Sequence, residues 1–185
     1  MNFMHAISIL ALFAGAIASS RSQAQEVVTP ALAHTHQEFG FAVQAPYEQV
    51  FPLFGALEEK KWAKGWDPQF VYPIPAHDQQ GMVFTRKHGG MSSVWTCTAF
   101  DETTGHVQYV YVIDDAMVTL IDIHVVKAGT AETQVSVVYE RTALQPEANE
   151  HVAHMATGDA GSGSEWAEAI NGYLAKVGTA PTSPK

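Results

Sequence analysis

Hydrophobic positions change their period twice along this chain, and the changes mark off a leader, a helical opening, a β-rich middle and a helical close. Residues 6–18 (AISILALFAGAIA) form an apolar run of 13, too short to span a bilayer comfortably and of the right length for a signal-peptide core. The stretch behind it ends in Ser22-Gln23-Ala24, which predicts export with a signal peptide over 1–24; cleavage after Ala18 is the alternative. The preceding MNFMH has no Lys or Arg, so a buried N-terminal helix or an uncleaved anchor is the competing reading. Residues 25–34 are polar and alanine-rich with Pro30 and read as a flexible arm.

A single domain is expected over 35–177. Phe39, Phe41 and Val43 alternate along a first strand. Ala45-Pro46 then opens a helix, because a proline at the first helical position lacks only an N–H that would have no partner. Tyr47, Val50, Phe51, Phe54 and Leu57 recur at helical spacing behind it, with Pro52 as a kink, and 58–66 (EEKKWAKGW) reads as a second short helix closing at Gly65. Six β-rich runs follow, at 68–72, 82–87, 92–100, 106–113, 116–127 and 133–142, separated by short turn signals such as Gly89-Gly90 and Asp114-Asp115. Connectors this short join antiparallel neighbours, so a meander is predicted.

Within these runs one parity collects Trp95, Cys97 and Ala99; Val107, Tyr109, Tyr111 and Ile113; Met117, Thr119, Ile121, Ile123 and Val125; and Val135, Val137 and Tyr139. The opposite parity holds Gln108, Asp122, His124, Gln134, Ser136 and Glu140, the pattern of a sheet with one wetted side. After Pro146 a helical stripe of Val152, Met155, Ala156, Trp166, Ile170, Tyr173, Leu174 and Val177 supplies the apolar face that the sheet needs. Its middle, 157–164 (TGDAGSGS), holds three glycines, each costing about 1 kcal/mol relative to alanine in a helix. A kink or break is expected there, and 178–185 reads as a disordered tail.

The 185 residues fit one core, and 46% hydrophobic against 16% charged residues is a globular composition. A net charge of -9 becomes one unit more negative when residues 1–24 leave with Arg21. That balance disfavours phosphate backbones and anionic lipid, so no nucleic-acid partner is expected. Cys97 is the only cysteine, which excludes an intramolecular disulfide and a thiolate metal cluster. No later apolar run reaches about 18 residues, so no membrane span is expected in the mature protein. Nothing in the sequence sets the oligomeric state.

Three segments carry a family resemblance. Residues 41–51 (FAVQAPYEQVF) form a strand running into P-x-x-x-V-F; Glu59, Trp62, Gly65, Trp66 and Pro68 make E-x-x-W-x-x-G-W-x-P; and 135–144 (VSVVYERTAL) close the last strand. Together with the β-αα-β6-α order, these resemble the START / polyketide-cyclase / Bet v 1-like (SRPBCC) superfamily over about residues 36–177, and the E-x-x-W segment resembles a bacterial subgroup of it. The resemblance implies an α+β helix-grip fold: a curved antiparallel sheet of about seven strands around a long C-terminal helix, with two short helices after the first strand. It also implies a concave, mostly apolar cavity between sheet and helix. By inward parity, Trp95, Tyr109, Tyr111, Thr119, Ile121, Tyr139, Met155 and Trp166 are the candidate lining; the competing reading makes them ordinary core.

Catalytic motifs are sparse. Nucleophile elbows, phosphate-cradling loops and HExxH are all missing. The nine histidines suggest no metal site: His34 and His36 lie in or near the arm, His151 and His154 share a solvated helix face, and His124 with Asp122 reads as a surface pair. Inward polar groups are Thr119, Tyr109, Tyr111, Tyr139 and Arg141, the last expected to pair with a carboxylate. In an enzyme, a tyrosine hydroxyl and an acid such as Asp67 would supply proton transfer. Three functions follow: non-catalytic binding or transport of a small hydrophobic molecule outside the cytoplasm, with no cofactor; a polyketide cyclase/dehydratase-like enzyme on a cyclic apolar substrate; or a structural, partner-binding domain with a filled core.

Overall fold

The computed structural model describes residues 31–88 and 90–178. The leader, the first part of the arm and the tail beyond residue 178 lie outside the described residues. Seven strands run β1 (His34–Val43), β2 (Gln69–Tyr72), β3 (Val83–His88), β4 (Met91–Asp101), β5 (His106–Ile113), β6 (Met117–Lys127) and β7 (Thr133–Ala143). They form one antiparallel sheet in the order β1-β7-β6-β5-β4-β3-β2, so the meander from β2 to β7 is continuous and β1 closes beside β7. Among the described residues three α-helices complete the fold: α1 (Tyr47–Val50), α2 (Asn149–Asp159) and α3 (Ser162–Gly178). Among the described residues no helix is long and apolar enough to cross a membrane.

Ordered structure begins inside the segment read as an arm. His34 already pairs with Thr142, Ala143 N–H donates to Ala33 C=O at 2.8 Å, and Asn149 accepts from Ala33 N–H and donates to Ala31 C=O. At the other end α3 includes Gly178, the first residue assigned to the tail.

The two short helices after β1 are tighter than the sequence suggests. Proline 52 has no N–H for an α-helical bond back to Glu48, and the chain narrows into a 3₁₀ turn at Phe51–Phe54. A second 3₁₀ turn covers only Glu58–Lys61, against the expected 58–66. Indole N–H groups pin this region: Trp62 donates to Leu53 C=O and Trp66 to Ala56 C=O, each at 2.7 Å.

Parity holds along β5, β6 and β7 but breaks in β4. A bulge between Cys97 and Ala99 rotates the strand, placing Ala99 opposite Gln108 and turning Phe100 inward to within 5.1 Å of the Phe51 ring. Ala99 therefore leaves the inward face.

The closing helix is two helices. α2 ends at Asp159 and α3 starts at Ser162, across the glycine-rich stretch. Glycine 163 has a packing reason: a Cβ there would lie 3.2 Å from Phe39 Cδ2, so its bare backbone lets α3 close on β1. α3 packs on β1, and α2 on β1 and β7.

Candidate functional site

The concave face of the sheet meets the helices in two different ways. At the closed end, Phe54 and Trp62 from the 3₁₀ turns meet Trp166 of α3, with Phe39 and Phe41 of β1 against the same indole at ring separations of 5.4 to 6.4 Å. The space left is about 40 Å³, lined by Phe54, Glu59, Trp66, Trp95, Tyr109, Ile121, Ile123, Tyr139 and Trp166. That admits a water-sized group and no ligand of ordinary size.

At the open end, α2 stands away from the ends of β3, β4 and β5. The cleft there holds about 410 Å³, within the range of small-molecule sites. Met91, Trp95, Tyr111, Ile113 and Met155 supply its apolar walls, and Arg86 and His151 its polar atoms. Trp95 lines both spaces and stacks on Tyr111 at 4.1 Å, so it is the partition between the inner chamber and the mouth.

The eight predicted lining residues divide accordingly. Trp95, Tyr109, Ile121, Tyr139 and Trp166 surround the inner chamber; Tyr111 and Met155, again with Trp95, line the mouth. Thr119 lines neither. It is fully buried, and its hydroxyl accepts from Arg141 Nη1 at 3.0 Å.

Arg141 itself is an anchor. Its Nε and Nη2 donate to the two oxygens of Asp159 at 2.8 and 2.7 Å, Nη1 also donates to the Tyr111 hydroxyl at 2.5 Å, and the guanidinium lies 4.5 Å over the Tyr139 ring. This bidentate pair ties the C-terminal end of α2 to β7 with nearly every donor used. The carboxylate partner expected for Arg141 is Asp159.

Other polar expectations need correction. Asp67 sits at the surface, paired with Lys60 at 3.0 Å, because the 3₁₀ turn ends early and the chain carries it outward. Tyr109 spends its hydroxyl on Phe54 C=O at 2.8 Å. Burial pushes the Cys97 thiol up to about 12, which makes it unreactive. His151 and His154 part company: His154 is exposed, whereas His151 turns into the mouth with Nε2 buried and without a partner among the described residues.

Sequence reasoning missed Arg86 and Met91 of the mouth and, in the inner chamber, Glu59. It stands in a charged run, EEKK, that reads as solvated. In a 3₁₀ turn, however, positions three apart eclipse, and Trp62 three residues on is half-buried beneath the helices. Glu59 shares that side and faces the inner chamber. Burial raises its carboxyl to about 8, although Arg86 pulls the other way. It is therefore a neutral acid at neutral pH, facing a chamber it shares with Tyr139. Burial also lowers Arg86, partly offset by Glu59; Arg86 lies 4.1 Å over the Trp66 ring and has no carboxylate within ion-pair distance among the described residues.

No protein-family profile and no curated protein matches this sequence. Solved structures do resemble it in three dimensions. Norcoclaurine synthase from Thalictrum flavum, in complex with dopamine and hydroxybenzaldehyde, is 13% identical with a TM-score of 0.58 over 83% of this chain and 91% of its own. Ara h 8.0201 is 14% identical with a TM-score of 0.53 over 78% and 99%. DynU16, from the dynemicin biosynthetic locus, is 12% identical with a TM-score of 0.52 over 77% of this chain and 48% of its own. Identities this low speak to architecture alone, and on that evidence the chain has a Bet v 1-like helix-grip fold.

Proposed function

We propose that this protein binds a small, flat, apolar molecule bearing a hydrogen-bond acceptor or anionic group, at the mouth of the grip, and that it does so outside the cytoplasm. The carrying observation is the mouth: about 410 Å³ with Trp95 stacked on Tyr111 as one wall, Met91 and Met155 as adaptable edges, and the cation of Arg86 and the unpartnered Nε2 of His151 in the same lining. An aromatic wall gives area at low entropic cost, methionines adjust to irregular shapes, and two convergent polar groups orient a ligand. Similar folds serve here as precedent: the norcoclaurine synthase structure holds two small aromatic molecules.

Titration of the full chain with 8-anilinonaphthalene-1-sulfonate, an aromatic anion with a large apolar surface, tests this through tryptophan fluorescence. The expected result is saturable quenching at one site, weakened about tenfold in Arg86→Met. Quenching that never saturates, or that ignores Arg86→Met, overturns the proposal. The exported location rests on the leader sequence, and amino-terminal sequencing of protein from its own cells checks it. A chain starting at Gln25 or Ser19 supports export with a cleaved leader, and an intact Met1 in the cytoplasmic fraction opposes it.

A second reading has its own observation. Glu59 is a neutral acid at the inner end of the path past Trp95, the state that a general acid needs. In this reading a bound substrate would displace Trp95 and take a proton from Glu59. Turnover of a bound compound that is lost in Glu59→Gln, with binding kept, would establish it; equal turnover in that variant would remove it.

A further inference from the structure

The convex face of the sheet carries a cluster that the cavity does not use. His106 on β5 and His124 on β6 lie directly opposite each other, and their rings stack with centroids 4.8 Å apart and planes 6° from parallel. Asp122, two residues before His124 on the same face, reaches His106 Nε2 at 2.5 Å through one oxygen and His124 Nε2 at 3.6 Å through the other. One ligand atom from each of the three lies within 4.8 Å of the others.

We propose that His106, Asp122 and His124 form a site for a borderline divalent transition-metal ion of the zinc or copper kind, with water completing its coordination. The sequence pairs only Asp122 with His124; strand register adds His106 as the third member.

Ligand chemistry favours this class. Two imidazoles with one carboxylate suit zinc, copper and nickel, whereas magnesium and calcium prefer all-oxygen sets. Geometry agrees. Bonds of roughly 2.0–2.2 Å at tetrahedral angles place neighbouring donors about 3.4 Å apart. The two contacts to Asp122, at 2.5 and 3.6 Å, use different carboxylate oxygens, and the rings lie nearly parallel, so the ion enters as the imidazoles turn about their side-chain bonds until both nitrogens and one carboxylate oxygen face it. The ligands stand on adjacent inner strands, each paired on both sides, which fixes their Cα positions. A second layer orients the carboxylate: Gln108 Nε2 donates to Asp122 Oδ1 at 3.2 Å, and the Thr98 hydroxyl donates to Gln108 Oε1 at 2.8 Å. The side chains of His106, Asp122 and His124 are 30%, 27% and 50% exposed, sheltered yet open to an ion arriving from water.

The test is a competition titration of the full chain with zinc against a chromophoric chelator, together with the electron paramagnetic resonance spectrum of the copper form. We expect one equivalent per chain and nitrogen coupling from two imidazoles. His106→Gln or His124→Gln should each weaken zinc at least tenfold and leave one imidazole nitrogen in the copper spectrum, whereas His34→Gln/His36→Gln should change neither. Metal-free thermal melts identify any variant that loses its fold, in which case the isosteric Asp122→Asn, also expected to weaken zinc tenfold, carries the test. Failure to bind one equivalent, binding that survives His106→Gln/His124→Gln, or binding lost in His34→Gln/His36→Gln would each overturn the site.

Discussion

The two ends of the space between sheet and helices are built from the same kinds of residue and do opposite things. At the closed end, Phe39, Phe54, Trp62 and Trp166 fill the grip and leave about 40 Å³; at the open end, Trp95, Tyr111 and Met155 line about 410 Å³. Aromatic content does not separate them. What does is where each helix lies: α3 closes on β1 over the bare backbone of Gly163, whereas α2 packs on β1 and β7, with Asp159 paired to Arg141 at its C-terminal end, and leaves the ends of β3 to β5 uncovered. Capacity for a ligand in this chain is then set by helix placement more than by composition.

The strongest way to break the contrast is to cut the anchor. Asp159→Ala would leave Arg141, only 3% exposed, as an unpaired buried cation, at a cost of about 3–5 kcal/mol. Urea unfolding should show that loss, and the apolar pair Arg141→Met/Asp159→Leu should recover most of it. A loss below about 1 kcal/mol for the single variant would show that α2 is held by something else.

Next in size is the closed end. Phe54 is 2% exposed, and truncating it in Phe54→Ala should cost about 3 kcal/mol. The same change should enlarge the inner chamber and let the deep end accept an apolar probe, turning one end into a copy of the other. Equilibrium unfolding reads the first effect, and xenon or benzene binding the second.

These two regions also differ in how far the sequence exposed them. Alternation along β5, β6 and β7 placed Tyr109, Ile121 and Val137 inward without error, because a buried face enforces a period of two. The bulge at Thr98 defeated that rule for Ala99, since an extra residue in one strand leaves no mark on apolar spacing. The glycine run at 157–164 predicted the break between α2 and α3. Glu59 stayed hidden because its neighbours Glu58, Lys60 and Lys61 look solvated, and only the 3₁₀ geometry turns it inward. His106 escaped notice because its partners, Asp122 and His124, come from the next strand.

Glu59 also gives the contrast a pH dependence. Its carboxyl ionises near 4.5 in the unfolded chain and at about 8 in the fold. Between those values the unfolded chain is ionised while the folded one keeps its proton, so folding takes up a proton and stability falls as pH rises. Below the window both states are protonated and the group is neutral in effect; above it the penalty is at its maximum. Between about pH 6 and about pH 7.5 the wild type should lose up to about 2 kcal/mol that Glu59→Gln does not lose. Urea midpoints across that range measure it. Parallel slopes for the two proteins would mean that Glu59 is open to water.

The smallest effect bears most directly on binding. Met155 sits on the side of α2 that faces Trp95 and Tyr111 across the mouth, and it is partly buried, so a larger side chain there meets space before it meets packed atoms. Met155→Trp should therefore change stability by less than about 1 kcal/mol while occupying much of the ligand volume. The expected loss of dye affinity is about tenfold, or about 1.4 kcal/mol, with the melting curve nearly unchanged. Unaltered affinity would move the ligand away from α2, whereas a large loss of stability would mean that the open end is already packed and differs from the closed end only in outline.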